Sequence, residues 1–116
     1  IGRDQRDPTK MAVVIDGKFA RTHYDVKKKF DLPQPCALVE CQLETGRTHQ
    51  IRVHLDSIDN PVVGDSTYGG ARSSLSSPRP MLHAAKLSFA HPTTGEVMTF
   101  EAPVPQDMQA VINRCE

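Results

Sequence analysis

The hydrophobic period changes at Thr45, and that change limits the folds open to the chain. Upstream, residues 36–45 alternate: Leu38, Glu40 and Gln42 point one way, and Ala37, Val39, Cys41 and Leu43 the other, as in a strand with one buried face. Downstream, Ile51, Leu55 and Ile58 are spaced by four and three, which places them on one stripe of a helix. Thr45 or Thr48 is positioned to cap that helix, because a hydroxyl oxygen accepts from an orphan backbone N–H. Asn60-Pro61 is expected to end it, since proline disfavours a helical conformation in the residue before it. A strand feeding directly into an amphipathic helix selects an α+β arrangement.

The flanks fit that class. Residues 2–10 are polar, charged and interrupted by Pro8, which predicts a loop or arm. Residues 11–15 form a short apolar run ended by Asp16-Gly17, a hairpin-type turn signal. Thr22, Tyr24 and Val26 share one parity and predict a strand over residues 20–30, closed by a segment with two prolines. Three strands joined by short loops predict an antiparallel meander. Gly64-Asp65 and Gly69-Gly70 bracket Tyr68 in a tight loop, and residues 71–80, rich in Ser and Pro, predict a mobile excursion. Residues 81–90 and 96–102 predict a hairpin around HPTTG. Pro105-Gln106-Asp107 opens a final helix with Met108, Val111 and Ile112 inward. The fold class is α+β with a mainly antiparallel sheet and a few helices.

The 116 residues fit one domain, and no apolar run approaches the ~20 residues of a membrane span. Three cysteines, Cys36, Cys41 and Cys115, without a CxxC pair, argue against a disulfide framework and for a reducing, cytoplasmic compartment. No metal is expected. Cys36 and Cys41 lie five apart in a strand and face opposite ways, and His49 and His54 are rotated about 140° apart on a helix. Net charge is zero, but residues 1–29 carry eight Lys/Arg against four Asp/Glu, and residues 90–116 carry one against four. The basic amino-terminal part suits a polyanion, and ordinary surface charge explains the count equally well.

Candidate chemistry concentrates in ETGRTHQIRVH, residues 44–54, where Arg47, His49, Arg52 and His54 gather at a helix start. Free backbone N–H groups and the helix dipole favour an anion there, and two arginines add fixed charge. The set suits a phosphate, a carboxylate substrate or a buried catalytic carboxylate. Arginine stays protonated and is no general base. Either histidine has the chemistry for one, or serves as a hydrogen-bonded structural group. No Ser-His-Asp spacing, HExxH or GxxxxGK[ST] motif occurs. On residue chemistry alone this is an anion-binding α+β domain.

GRTHQIRVH, followed by PVVGDSTYGG and LHAAKLSFAHPTTGE, closely resembles the carboxy-terminal half of the catalytic domain of the RluA-type RNA pseudouridine synthases. DPTKMAVV and GKFARTHY resemble the family's preceding segments, and EAPVPQDM resembles the tail of its D-type large-subunit rRNA branch. The resemblance implies that residues 1–116 are the carboxy-terminal portion of such a catalytic domain. The family's nucleophilic aspartate, in HRLDxxTSG, its active-site tyrosine, in KxYxA, and any S4-like RNA-binding module are not among these residues. Asp4 and Asp7 align with a later arm of the family and are not candidates for the nucleophile.

By the same resemblance, Arg52 matches the basic residue that pairs with the catalytic aspartate. Ile51 and Leu82 match apolar positions beside the target uracil. Arg47 and His49 are assigned to RNA phosphate or to local structure, Asp65 and Tyr68 to fixing their loop, and His83 to a structural hydrogen bond. The implied reaction converts uridine to pseudouridine in large-subunit ribosomal RNA, without cofactor or metal. The expected partner is RNA, with self-association of the chain through an exposed sheet edge. The chain alone is expected to be inactive. The alternative is a non-catalytic RNA- or protein-interaction domain of the same fold, which the presence or absence of an upstream HRLD motif would discriminate.

Overall fold

The computed structural model describes residues 1–7, 10–14 and 16–116. Pro8, within the expected arm, and Ile15, at the end of the first apolar run, lie outside the described residues. Among the described residues, six strands and two helices follow in the order β1 (Gly2–Arg3), β2 (Met11–Ala12), β3 (Thr22–Phe30), β4 (Cys36–Leu43), α1 (Gln50–Ser57), β5 (Lys86–Ala90), β6 (Val97–Glu101) and α2 (Gln106–Cys115). The fold is α+β, and every strand pair described is antiparallel.

The expected meander does not form. β2 turns back onto β1, inside the segment expected to be an arm, and β3–β4 and β5–β6 stand as separate two-stranded ribbons. Among the described residues of the first apolar run, Met11 and Ala12 enter a ladder, and their partner is β1 and not the β3–β4 pair. In that pair Tyr24 lies opposite Cys41 and Val26 opposite Val39, so one face is apolar. The HPTTG turn closes β5–β6 as its sequence predicts, with the amide of His91 donating to the carbonyl of Glu96 at 2.7 Å.

The expected excursion over residues 71–80 is instead folded back on the body. Leu75 is among the most buried side chains, and Arg79 makes a forked pair with Asp107 of α2 at 2.7 and 3.0 Å. One leucine in a Ser-rich run is enough to anchor it, which composition alone does not reveal. α2 presents Val111 inward, flanked by half-buried Met108 and Ile112, as expected.

The helix stripe behaves differently. In α1 the buried residues are Gln50 and Val53, whereas Ile51, Leu55 and Ile58 line an apolar cavity of about 700 Å³ between the β3–β4 face, α1 and α2. Ile58 is 47% exposed. The β5–β6 ribbon likewise exposes Leu87, Phe89 and Phe100 on one face, with the two phenyl rings stacked at 5.8 Å. A two-stranded ribbon with an open apolar face is marginal on its own. The radius of gyration, 15.9 Å, exceeds the about 13 Å expected for a compact domain of this length. The 116-residue chain is therefore expected to self-associate at micromolar concentration. Sedimentation velocity across a dilution series checks this, and a monomer with a cooperative high-temperature melt would contradict it.

Candidate functional site

The turn before α1 is organised by a side-chain amide. Gln50 is 3% exposed, and all four of its hydrogen-bonding positions are used. Its Oε1 accepts from the Thr45 hydroxyl at 2.7 Å and the Arg47 amide at 3.0 Å, and its Nε2 donates to the Arg21 carbonyl at 3.0 Å and to Thr22 Oγ1 at 2.9 Å. Neither Thr45 nor Thr48 caps α1. His49, in the left-handed region at φ 53°, occupies the N-cap without a side-chain capping bond. Thr45 is spent on Gln50 and on the Arg21 amide, which it accepts at 3.0 Å. Gln50 is the functional-site support that sequence reasoning missed, although a lone Gln one residue before an apolar stripe is a signal for it.

The same network reaches His54, whose Nδ1 lies 2.8 Å from Thr22 Oγ1. Burial first, then the charge of the amino terminus, lowers the His54 pKa below its ordinary value, favouring the neutral ring. Gln50→Ala would leave several part-buried groups without this partner. It is expected to lower stability by about 2–3 kcal/mol in urea titration, with Gln50→Glu no better because its carboxylate would face the Arg21 carbonyl.

Arg52, one residue past Ile51, points to a different side of the helix. Its Nε and Nη2 donate to Asp65 Oδ2 and Oδ1 at 2.7 and 2.9 Å. Asp65 is wholly buried and also accepts from the backbone amides of Thr67 and Tyr68. Burial pushes its pKa up, but the Arg52 bonds and charge and those two amides outweigh it, so the carboxyl is held below its ordinary value. The bonds to Asp65 raise the Arg52 pKa in turn, against burial. The guanidinium carbon lies 5.0 Å from the Tyr68 ring centroid, within cation–π range.

The GDSTYGG loop is shaped to deliver Asp65 and Tyr68 to Arg52. Gly64 has φ +81°, and a Cβ on Gly70 would stand 1.8 Å from the Val62 carbonyl oxygen, so neither position takes a side chain without rearrangement. The amide of Gly64 donates to the Gly70 carbonyl at 3.0 Å and that of Gly70 to the Asp65 carbonyl at 2.7 Å, closing the loop on itself. Tyr68 accepts from the Met11 amide at 3.1 Å and meets His49 Nδ1 at 2.8 Å, with the two rings edge-on. Asp65 and Tyr68 thus do more than fix their loop: they surround Arg52.

The remaining sequence-predicted residues divide into two places. Ile51 and Leu82 share the apolar cavity, whereas His49 joins the Arg52 cluster through Tyr68. Arg47 is exposed, its Nε donating to the Phe19 carbonyl at 2.9 Å. His83 Nε2 lies 3.0 Å from the Ala102 carbonyl, a structural contact. Among the described residues no group of His, Cys, Asp and Glu is arranged to hold a metal, and no helix is long and apolar enough to cross a membrane.

The family model described as RNA pseudouridylate synthase matches residues 3–57, a stretch that contains β3, β4 and the whole of α1 with Arg47, His49, Ile51 and Arg52. A Chloroflexus aurantiacus protein titled an uncharacterised RNA pseudouridine synthase is 51% identical over 116 residues, all of this chain and 36% of the relative. The chain belongs to the RNA pseudouridine synthase family. A Bacillus subtilis relative with a similar title is 52% identical over 112 residues, 97% of this chain and 36% of its own. The ribosomal large subunit pseudouridine synthase D of Nitrosomonas europaea is 47% identical over 119 residues, 97% of this chain and 34% of its own. The chain therefore spans about a third of the length of these relatives.

Proposed function

We infer that this chain is the carboxy-terminal portion of a catalytic domain that isomerises uridine to pseudouridine in large-subunit ribosomal RNA, acting in the cytoplasm without a cofactor. The observation that carries the reading is the forked, partly accessible guanidinium of Arg52 on a helix whose neighbouring residue, Ile51, lines an apolar cavity together with Leu82. Pseudouridine formation breaks the glycosidic C–N bond, turns the uracil and joins it to the ribose through carbon. A carboxylate supplied by the rest of the domain meets Arg52, which keeps it ionised and orients it. Taking the base out of its stack costs a few kcal/mol, which an apolar slot at Ile51 and Leu82 offsets. Arg47, exposed on the turn before α1, suits RNA phosphate, and half-buried His49, with its Nδ1 at the Tyr68 hydroxyl, suits it through its other ring nitrogen.

The open β5–β6 face and the cavity also suit a purely interacting module that contacts RNA or protein. The two readings separate on one assay. The polypeptide translated from the whole reading frame is incubated with large-subunit rRNA, small-subunit rRNA and tRNA transcripts, and pseudouridine is mapped by carbodiimide-adduct primer extension. Product at a discrete large-subunit uridine is expected. Binding without product on any transcript would favour the interaction module, and product confined to tRNA would overturn the substrate assignment.

A further inference from the structure

Leu82 reaches the apolar cavity from backbone that no ladder holds. Residues 80–85 form neither helix nor strand, and Leu82 itself is 36% exposed, so packing alone does not fix its place. Carbonyls outside regular structure need other partners. Arg79 supplies them: its Nη1 donates to the carbonyls of Pro80 and Leu82 at 2.9 and 3.1 Å. Between these two, the amide of Met81 donates to the Val63 carbonyl at 2.8 Å. The other edge of the guanidinium, Nε and Nη2, forms the fork to Asp107. Asp107 Oδ1 also accepts from the Met108 amide at 2.8 Å, in the first turn of α2, where the helix dipole favours an anion. The carbonyl of Arg79 lies against Gly64 and leaves no room there for a Cβ. One arginine thus joins α2, the Leu82 segment and the start of the GDSTYGG loop.

We propose that Arg79 and Asp107 are positioning residues for the reaction: α2 anchors Asp107, the fork fixes the plane of Arg79, and Nη1 sets the backbone that carries Leu82 to the cavity beside Ile51. This deepens, and rests on, the reading of the chain as part of a pseudouridine synthase in which that slot holds the base. All three guanidinium nitrogens are engaged inside the protein, so the clamp acts through Leu82 and not by touching RNA. A base held about 1 Å out of line costs on the order of 10²-fold in rate. Lysine cannot replace the clamp, because a single ammonium lacks the planar fork that holds two edges at once.

The test uses the whole-frame polypeptide with Arg79→Lys, Leu82→Ala and the two combined. Single-turnover rate constants at saturating RNA are expected to fall about 10- to 100-fold in Arg79→Lys. RNA dissociation constants should stay within about threefold and their salt dependence unchanged, where a lost phosphate contact would lower the slope by about one counterion. Because the clamp acts through Leu82, the double variant should be no more than about twofold slower than Leu82→Ala alone. A general structural role would instead multiply the two losses. If Arg79→Lys does not fold, Asp107→Asn carries the same expectations. A rate constant within about twofold of wild type, multiplying losses, or a loss confined to RNA affinity would overturn the proposal. A second arm needs no activity: the Met81 amide, followed by hydrogen exchange, should exchange about tenfold faster in the folded variant than in the wild type. If the wild-type polypeptide modifies no RNA, the functional reading fails while this exchange still decides whether the clamp holds the segment. Equal exchange in both proteins would overturn it.

Discussion

Arg52→Leu should remove about 3–5 kcal/mol of stability from this chain at pH 7, the cost of stranding one partner of a buried ion pair. Asp65, wholly buried, would keep its carboxylate and the Thr67 and Tyr68 amides but lose both guanidinium bonds. The pH dependence gives the sign. In the wild type the Asp65 pKa is held below its unfolded value, so its contribution is present above about pH 4 and is lost only as pH falls through the lower, folded value. Without Arg52, burial raises that pKa above the unfolded one. The variant should then regain stability on acidification from pH 7 towards 4, where the wild type gains nothing from this group. Urea titrations at several pH values would show the gap closing. A gap that is constant with pH would mean that Asp65 is not ionised in the fold. Arg52→Lys, which keeps a charge but not the fork, should fall between. Arg47→Leu, at an exposed site, should change stability by less than about 0.5 kcal/mol. In the whole-frame polypeptide it should weaken RNA binding and lower the salt dependence by about one counterion.

The separation between Arg47 and Arg52 shows what the sequence makes legible. The period change at Thr45 located β4 and α1, and the glycine spacing located the loop after them. Both are local signals, carried by residues a few positions apart. The Arg52–Asp65 pair joins residues 13 positions apart across a loop whose path depends on Gly64 and Gly70, so spacing alone leaves the partner open. The resemblance pointed Arg52 toward a carboxylate outside these residues, and the structure adds one within them. Burial was the least legible quantity. The Ile51, Leu55 and Ile58 stripe has the pattern of a packed face, yet it lines an open cavity, while Gln50 and Val53 take the buried side. A hydrophobic period records which face seeks cover, not whether cover is present. Leu75 makes the converse point, since one apolar residue in a polar run became a core contact.

The 116-residue chain by itself is expected to form pseudouridine at least about 10⁴-fold more slowly than the whole-frame polypeptide, the scale of loss when an enzyme's nucleophile is removed. Asp65, Asp107, Asp4 and Glu44 are each committed to other partners. Asp65 is wholly buried and accepts from Arg52 and two backbone amides, so it has no path to a ribose or a base. Asp107 is bound in a fork to Arg79 and accepts from the Met108 amide. Asp4 accepts from the amides of Arg6 and Asp7 in the amino-terminal turn, which makes it a turn-closing group. Glu44 pairs with Arg21 and His23 on the exposed edge of the hairpin, away from the apolar slot of Ile51 and Leu82. A nucleophile must lie within about 3–3.5 Å of the atom it attacks, beside a slot that holds the base, and none of these four combines an accessible carboxylate with that slot. Asp31 and Asp59 are exposed and do line the cavity that holds Ile51 and Leu82, so they are the carboxylates whose removal tests the expectation most directly. Mixing the chain with a separately purified polypeptide that carries the HRLD segment should restore product, because the cavity and the open ribbon face are then covered. Mapping pseudouridine in rRNA transcripts with each polypeptide alone and with both together provides the check. Turnover by the 116-residue chain alone that disappears in Asp31→Asn, Asp59→Asn, Asp4→Asn or Glu44→Gln would place the nucleophile within these residues and overturn the split-domain reading.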